Sequence, residues 1–255
     1  MKAPRLSVLV VAHNEAAQLA DCLKNLGFAD ELVVVLDKCT DDSKAIATGF
    51  SARLIEGAWE IEGHRRNAGI EACRGAWILE VDADERANVE LGREIITTIT
   101  GLDEGQIDGY FLLPFDNYIG RRLVRHGWGG SWGVSAAPRL FAKGAKQWGA
   151  QRIHPSLTLR GPRRWLSTPI RHNVDQDISD MLARLDRYST ARAADLRASG
   201  DIGNLASNIR RMFSRFAKCY LSRKGYREGA YGFLIALMAG LYPILSHLKA
   251  RLEKD

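Results

Sequence analysis

Apolar and polar positions follow two rhythms along the first hundred residues. Leu6 to Ala12 is an unbroken apolar run, as expected of a strand covered on both faces. Leu19, Cys22, Leu23 and Leu26 then recur at helical spacing, with Asn14 placed to cap that helix and Gly27 to end it. Glu31 to Leu36 reads as a second buried strand, and Asp41 or Asp42 can cap the helix that follows. Ala52 to Glu56 reads as a short third strand, Gly63 to Arg74 as a helix stopped by Gly75, Trp77 to Val81 as a fourth strand, and Val89 to Ile99 as a further helix. Strands that alternate with helices predict an α/β fold with a parallel, doubly wound sheet. Ligands of such sheets lie beyond the carboxyl ends of the strands.

The rhythm changes after Gly109. Gly109 to Phe115 reads as a strand, and the stretch rich in Gly, Trp and Arg that follows has few helical signals. Antiparallel strands and loops that wall an acceptor are expected there. From Asp177 the pattern is helical. Ile202 to Arg227 contains no acid but holds Arg210, Arg211, Arg215, Lys218, Arg223, Lys224 and Arg227, while Leu205, Ile209, Met212, Phe216 and Tyr220 recur at helical spacing. That is a basic, amphipathic helix suited to an anionic membrane surface. Gly229 to Leu248 carries no Asp, Glu, Lys or Arg. As a helix it is long enough to cross a bilayer core, at about 30 Å. Gly232, Gly240 and Pro243 are expected to interrupt it, and basic residues flank both ends, so no charge asymmetry orients a span. An interfacial or shallow re-entrant segment is the favoured reading. Packing on the rest of the chain or on a second subunit is the alternative. Two regions result: 1–175, and a helical, basic and apolar region, 176–255.

Composition narrows the function. The chain has 255 residues, 46% of them hydrophobic, enough for one sizeable core. Its net charge of +6 suits anionic partners such as nucleotides and phospholipid head groups. Cys22, Cys39, Cys73 and Cys219 are scattered without paired spacing, which argues against a disulfide framework or zinc ribbon and for a reducing cytosol. The first apolar run is too short for a signal peptide and meets His13, Asn14 and Glu15 at once.

The candidate chemistry sits at the strand ends. In "WILEVDADE", Asp82 and Asp84 follow the fourth strand, where two carboxylates one residue apart can turn toward one Mg²⁺ or Mn²⁺. A solvated turn or a helix N-cap is the competing reading. "VVAHNE" has no glycine, so the dinucleotide fingerprint of hydride-transfer enzymes is missing. Asp37 shares the ligand edge and can accept hydrogen bonds from a base or ribose. In "GHRRNAG", Arg66 offers a fork of donors suited to phosphate, or else lies on a solvated helix face.

Taken together, the N-E after the first strand, the acid and T-D after the second, the R-N helix and D-A-D-E resemble the family-2 glycosyltransferases. "DGYFLLPFDNYIGRRLVRHGW", "PRLF" and "LARLDRYST" extend the likeness to the branch that includes lipopolysaccharide-core β-1,4-glucosyltransferases. The resemblance implies a GT-A fold, Rossmann-like with a mostly parallel central sheet and flanking helices, plus the helical C-terminal extension. It implies inverting transfer of a hexose from a nucleotide sugar, UDP-linked by expectation, to a lipopolysaccharide core or other glycolipid or saccharide acceptor. Asp82 and Asp84 would hold the divalent metal. Ala12, His13, Glu15 and Asp37 would line the nucleoside pocket, with Arg66, Asn67 and Asp82 also contacting the donor. Two departures stand out. Leu36 occupies the place where this family usually has the first acid, with Asp37 next and Lys38 for a glycine. In "IHPS", Pro155 stands where the branch commonly has an acid, so His154 and Asp116 become the candidate bases. His126 and Arg139 fall in the region that could meet acceptor or diphosphate. The expected location is the cytoplasmic face of an inner membrane, held peripherally, with no nucleic acid partner: the acids at Asp37, Asp82 and Asp84 would repel its phosphates. The rival readings are a nucleotidyltransferase-like enzyme, for which the first turn lacks a Gly- and Lys-rich phosphate loop, and a non-catalytic basic membrane-binding protein.

Overall fold

A computed structural model describes residues 5–102, 107–129, 132–151 and 156–253. The chain divides into two compact units. The first comprises residues 1–115 and 136–172, the second 116–135 and 173–255.

In the first unit the strands β1 (Leu6–Ala12), β2 (Glu31–Asp37), β3 (Arg53–Gly57) and β4 (Trp77–Asp82) are all parallel, in the order β3-β2-β1-β4. The apolar runs are the reason. Leu6, Val8, Leu9, Val10, Val33, Val34, Val35, Ile78, Leu79 and Val81 have no exposed surface, so these strands are covered on both faces. The helices α1 (Ala16–Leu23), α2 (Ser43–Gly49), α3 (Glu62–Ala72) and α4 (Val89–Thr100) connect or flank them. Gly69 lets α3 approach the sheet: a Cβ there would lie 2.5 Å from a Leu9 methyl and 2.8 Å from a Val35 methyl. Beyond β4 the sheet turns antiparallel, through β8 (Ala136–Ala142) and then β6 (Tyr110–Ile119). The expected antiparallel middle is therefore present. A two-residue strand, β5 (Glu85–Arg86), pairs with β12 (Ile170–Asp175), and β9 (Lys146–Trp148) pairs with β10 (Leu157–Leu159). The strand β11 (Arg163–Trp165) runs parallel to the start of β6. The result is the mostly parallel, curled sheet with flanking helices expected of the GT-A fold.

Local details depart from the expected pattern. Asn14 does not cap α1. It adopts the left-handed backbone region, with φ of 55°, and its Oδ1 accepts from Thr40 N at 2.8 Å. Glu15 takes the capping position, and the N–H of Ala16 is met instead by Asp41 Oδ2 at 2.8 Å. Asp41 therefore ties the loop after β2 to the start of α1. α1 ends at Leu23, short of Gly27.

The second unit is helical, and residues 116–135 belong to it. The end of β6 pairs with β7 (Arg122–Leu123). The helices are α5 (Ile178–Ser199), α6 (Leu205–Ala217) and α7 (Ala230–Leu252), with a π turn at Lys218–Ser222 and a 3-10 turn at Gly225–Glu228. Asp177 caps α5 and Asn204 caps α6 through side-chain acceptors. α7 packs on both other helices, and Ile119, Val124, Trp128, Trp132, Met181 and Ile235 are among the buried residues of the core. Contrary to expectation, Gly232, Gly240 and Pro243 do not break α7, which is continuous. The glycines serve close approach: a Cβ on Gly232 would lie 1.8 Å from the carbonyl oxygen of Gly225, and one on Gly240 would lie 3.0 Å from that of Met212. α7 is long and apolar enough to span a membrane, yet 56% of its apolar window is buried within the fold.

Candidate active site

The register of the parallel strands brings their carboxyl ends together. Ala12 pairs with Leu36, Asp82 with Val11, and Asp37 with Gly57. Of the residues expected around a donor, Ala12, Asp37 and Asp82 thus share one edge, and the contacts of each expected residue differ. Ala12 is buried, with 1% exposure, at the end of β1. His13 is exposed, and its Nδ1 lies 2.6 Å from Asp37 O. Glu15 accepts from Gln18 Nε2 at 2.7 Å. The Asp37 carboxylate is engaged within the chain, by Trp59 N at 3.0 Å and Arg65 Nη1 at 3.1 Å. Asn67 is engaged too: its carboxamide donates to Trp148 O at 2.8 Å and accepts from Trp148 N at 3.0 Å. That pair of bonds fastens β9 to α3.

The acidic turn after β4 is split between two jobs. Asp82 is gripped by two arginines, Arg66 on Oδ1 at 2.9 Å and Arg139 on Oδ2. Burial pushes its carboxyl upward, but the Arg139 and Arg66 guanidiniums outweigh that and hold it well below the usual carboxylate range. Arg139 also meets Glu85, which has no exposed surface and accepts from Asp82 N at 3.0 Å. Burial raises Glu85 to about 7 against the pull of Arg139, with Asp82 and Asp84 adding to the rise. Arg139 stacks over Phe115 at 5.5 Å.

Asp84 is differently placed. Its Oδ2 lies 3.4 Å from His172 Nε2, while its Oδ1 is buried without a hydrogen-bond partner. The β5–β12 pairing sets His172 directly opposite Glu85. One oxygen from each of Asp84 and Glu85 and a ring nitrogen of His172 lie within 4.8 Å of one another. A buried carboxylate oxygen without a donor, next to an imidazole and a second acid, fits a hard divalent cation. Burial lowers the tendency of His172 to protonate, but the hydrogen bond to Asp84 and the charges of Asp84 and Glu85 together outweigh it and raise that tendency.

Residues 7–149 match the sequence profile described as Glycosyl transferase family 2. The chain belongs to that family. It is 23% identical to the lipopolysaccharide core biosynthesis glycosyltransferase LpsC of Rhizobium meliloti (strain 1021), over 96% of this chain and 91% of that protein. It is 30% identical to an uncharacterized glycosyltransferase of Rickettsia bellii (strain RML369-C), over 97% of this chain and 86% of the relative. Among solved structures, S. aureus TarS shares the fold at a TM-score of 0.50 and 14% identity, over 96% of this chain and 55% of TarS.

This transferase thus has a candidate centre only partly anticipated by its motifs. Asp82 and Asp84 are there, but Asp82 faces arginines and Asp84 faces the cation-like site. Glu85 ends the D-A-D-E motif, whereas His172, Glu80 and Lys146 carried no signal in the local pattern: His172 and Lys146 come from distant strands, and Glu80 sits inside an apolar run. Asp116 falls in the second unit, half-buried on β6. His126 lies there too, its N–H donating to Glu228 Oε1 at 3.0 Å. His154 lies outside the described residues.

Proposed function

We propose that this glycosyltransferase transfers a hexose, with inversion, from a UDP-linked sugar to a lipopolysaccharide core or related glycolipid. The observation that carries the reading is the unpartnered, buried Oδ1 of Asp84 beside Glu85 and His172, at the carboxyl edge of a parallel sheet. Asp84 and His172, with Glu85 beside them, would hold Mg²⁺ or Mn²⁺. When bound, that ion neutralises charge on the departing diphosphate. Asp82, oriented by Arg66 and Arg139, accepts hydrogen bonds from the donor. Arg139, a fixed cation at the same edge, supports the diphosphate. Ala12, His13, Glu15 and Asp37 border the nucleoside. The acceptor hydroxyl loses its proton to a base, for which Asp116 and His154 are the candidates. The relationship to LpsC supports a lipopolysaccharide acceptor.

Calorimetry with UDP in the presence and absence of Mn²⁺ tests the reading. Joint uptake is expected, and Asp84→Asn should remove the metal-dependent part without lowering the melting temperature. No uptake of any nucleoside diphosphate in either condition would refute it. For the base, Asp116→Asn and His154→Ala are compared at saturating donor. The one that keeps full turnover is eliminated.

The surface of α6 supports a reading of where the enzyme acts. Met212 and Phe216 are partly covered, whereas Leu205, Ile209 and Phe213 are exposed on the adjoining face, at 41%, 37% and 64%. Arg210, Arg211, Lys218, Lys224 and Arg227 surround this part of the chain, and no acid lies between Ile202 and Arg227. This favours peripheral attachment to an anionic cytoplasmic membrane surface through α6 and the turns after it, rather than through the largely buried α7. Flotation with vesicles containing phosphatidylglycerol should carry the protein, and Phe213→Ser with Ile209→Ser should reduce it. Equal flotation of the variant would exclude this surface.

A further inference from the structure

Glu80 stands two residues before Asp82 on β4, so both side chains leave the same face of the strand. It has no exposed surface, in a strand whose other interior positions are apolar. Its two oxygens have separate partners. Oε1 meets Arg66 Nη1, and Oε2 meets Lys146 Nζ at 2.5 Å. Lys146 donates to Pro138 O at 2.8 Å and lies over the rings of Phe141 and Trp148, at 4.9 and 4.8 Å. The same Nη1 of Arg66 reaches Asp82 Oδ1 at 2.9 Å, and its Nε reaches Glu62 at 2.9 Å.

A buried ion pair of this kind gains little stability over apolar side chains of similar volume. Its geometry gives the better account of it. Without Glu80, Arg66 would keep the Trp148 ring at 5.0 Å, which leaves it free to slide, and as ionic anchors among the described residues Glu62 and Asp82 itself, which is 26% exposed and the group to be oriented. Lys146 occupies the second Glu80 oxygen, so Glu80 holds Arg66 through one oxygen and leaves its reach toward Asp82 intact.

We propose that Glu80 and Lys146 form a positioning pair, which fixes the Arg66 guanidinium so that the Asp82 carboxylate stands ready for the donor. Neither residue touches substrate. The donor half of this inference rests on the function proposed above; the placement of Arg66 does not.

The test is Glu80→Gln/Lys146→Met, which removes both charges together, so no ammonium is left stranded. Glu80→Gln is measured in parallel. Three readouts are taken: thermal melting, a crystal structure of the double variant, and calorimetry with UDP and Mn²⁺. A purely structural pair predicts that stability and affinity recover together in the double variant. A positioning pair predicts a melt close to that of the unmodified protein, Arg66 turned away from Asp82, and UDP–Mn²⁺ affinity lowered about tenfold or more, as for other partners behind a ligand-contacting group. An Arg66–Asp82 contact kept in the double variant, or undiminished affinity, overturns the proposal. If the unmodified protein takes up no UDP with Mn²⁺, the donor reading fails, and the position of Arg66 in the crystal alone decides.

Discussion

Glu94 on α4 offers a test of how the first unit is clasped. Its Oε1 accepts from Ser167 N at 2.8 Å and Ser167 Oγ at 2.6 Å, and its Oε2 accepts from Thr168 N at 2.8 Å. Ser167 and Thr168 lead directly into β12, the strand that carries His172. Burial pushes the Glu94 carboxyl upward, but the bonds from Ser167 and Thr168 prevail and bring it down to about 2 from 4.5. That gap corresponds to about 3 kcal/mol of preference for the folded, ionised form. The side chain is only half-buried, so water screens it and about 1–2 kcal/mol is the working value. Because the folded value is depressed, this stability is present in full above the unfolded value of 4.5 and is lost as pH falls toward about 2. Glu94→Gln turns an NH₂ group toward one of the backbone donors. At pH 7 it should cost about 1–2 kcal/mol, or about 3–6 °C in melting temperature. Urea titrations of both proteins at pH 7 and pH 3 measure the difference, and subtraction cancels the acid sensitivity of every other carboxylate. The gap should narrow by roughly half or more at pH 3. A gap below about 0.5 kcal/mol at pH 7, or one that does not change with pH, would refute the reasoning.

Two predictions concern the second unit. Asp175→Asn breaks a bidentate pair with Arg184, at 3.0 and 2.7 Å, beneath a guanidinium that stacks over Trp132 at 4.0 Å. It should cost about 3–5 kcal/mol in urea unfolding, and a loss under about 1 kcal/mol would show that Arg184 finds another partner. Gly232→Ala forces a methyl onto the Gly225 carbonyl and should cost about 1–3 kcal/mol, read from tryptophan fluorescence on melting. An unchanged melt would mean that the turn at Gly225 yields freely.

The alternating strands and helices of the first hundred residues were legible because burial on both faces leaves unbroken apolar runs, and those runs determine β1, β2 and β4. The caps were less legible. Asn14 has the chemistry of a helix cap, but its side chain is taken by Thr40 N from the neighbouring loop, a competition that no local pattern reveals. Gly232 and Gly240 looked like breaks because glycine weakens an isolated helix; in the fold they permit contact at backbone distance, a property of the partner segment. Likewise "DADE" marked the right turn but not the division of labour within it. Asp82 and Asp84 are equivalent on paper, and only Arg66, Arg139 and His172, brought from other elements, distinguish them.

The placement of residues 116–135 has a practical consequence. Trp128 and Trp132 are buried among α5, α7 and the π turn, and Glu228 receives the backbone N–H groups of Arg125 and His126. No single cut therefore separates a catalytic piece from a helical one. A chain shortened to end near residue 175 would bare two indoles and orphan two amides in the middle of its sequence, so insolubility on expression is the outcome to anticipate for such a fragment.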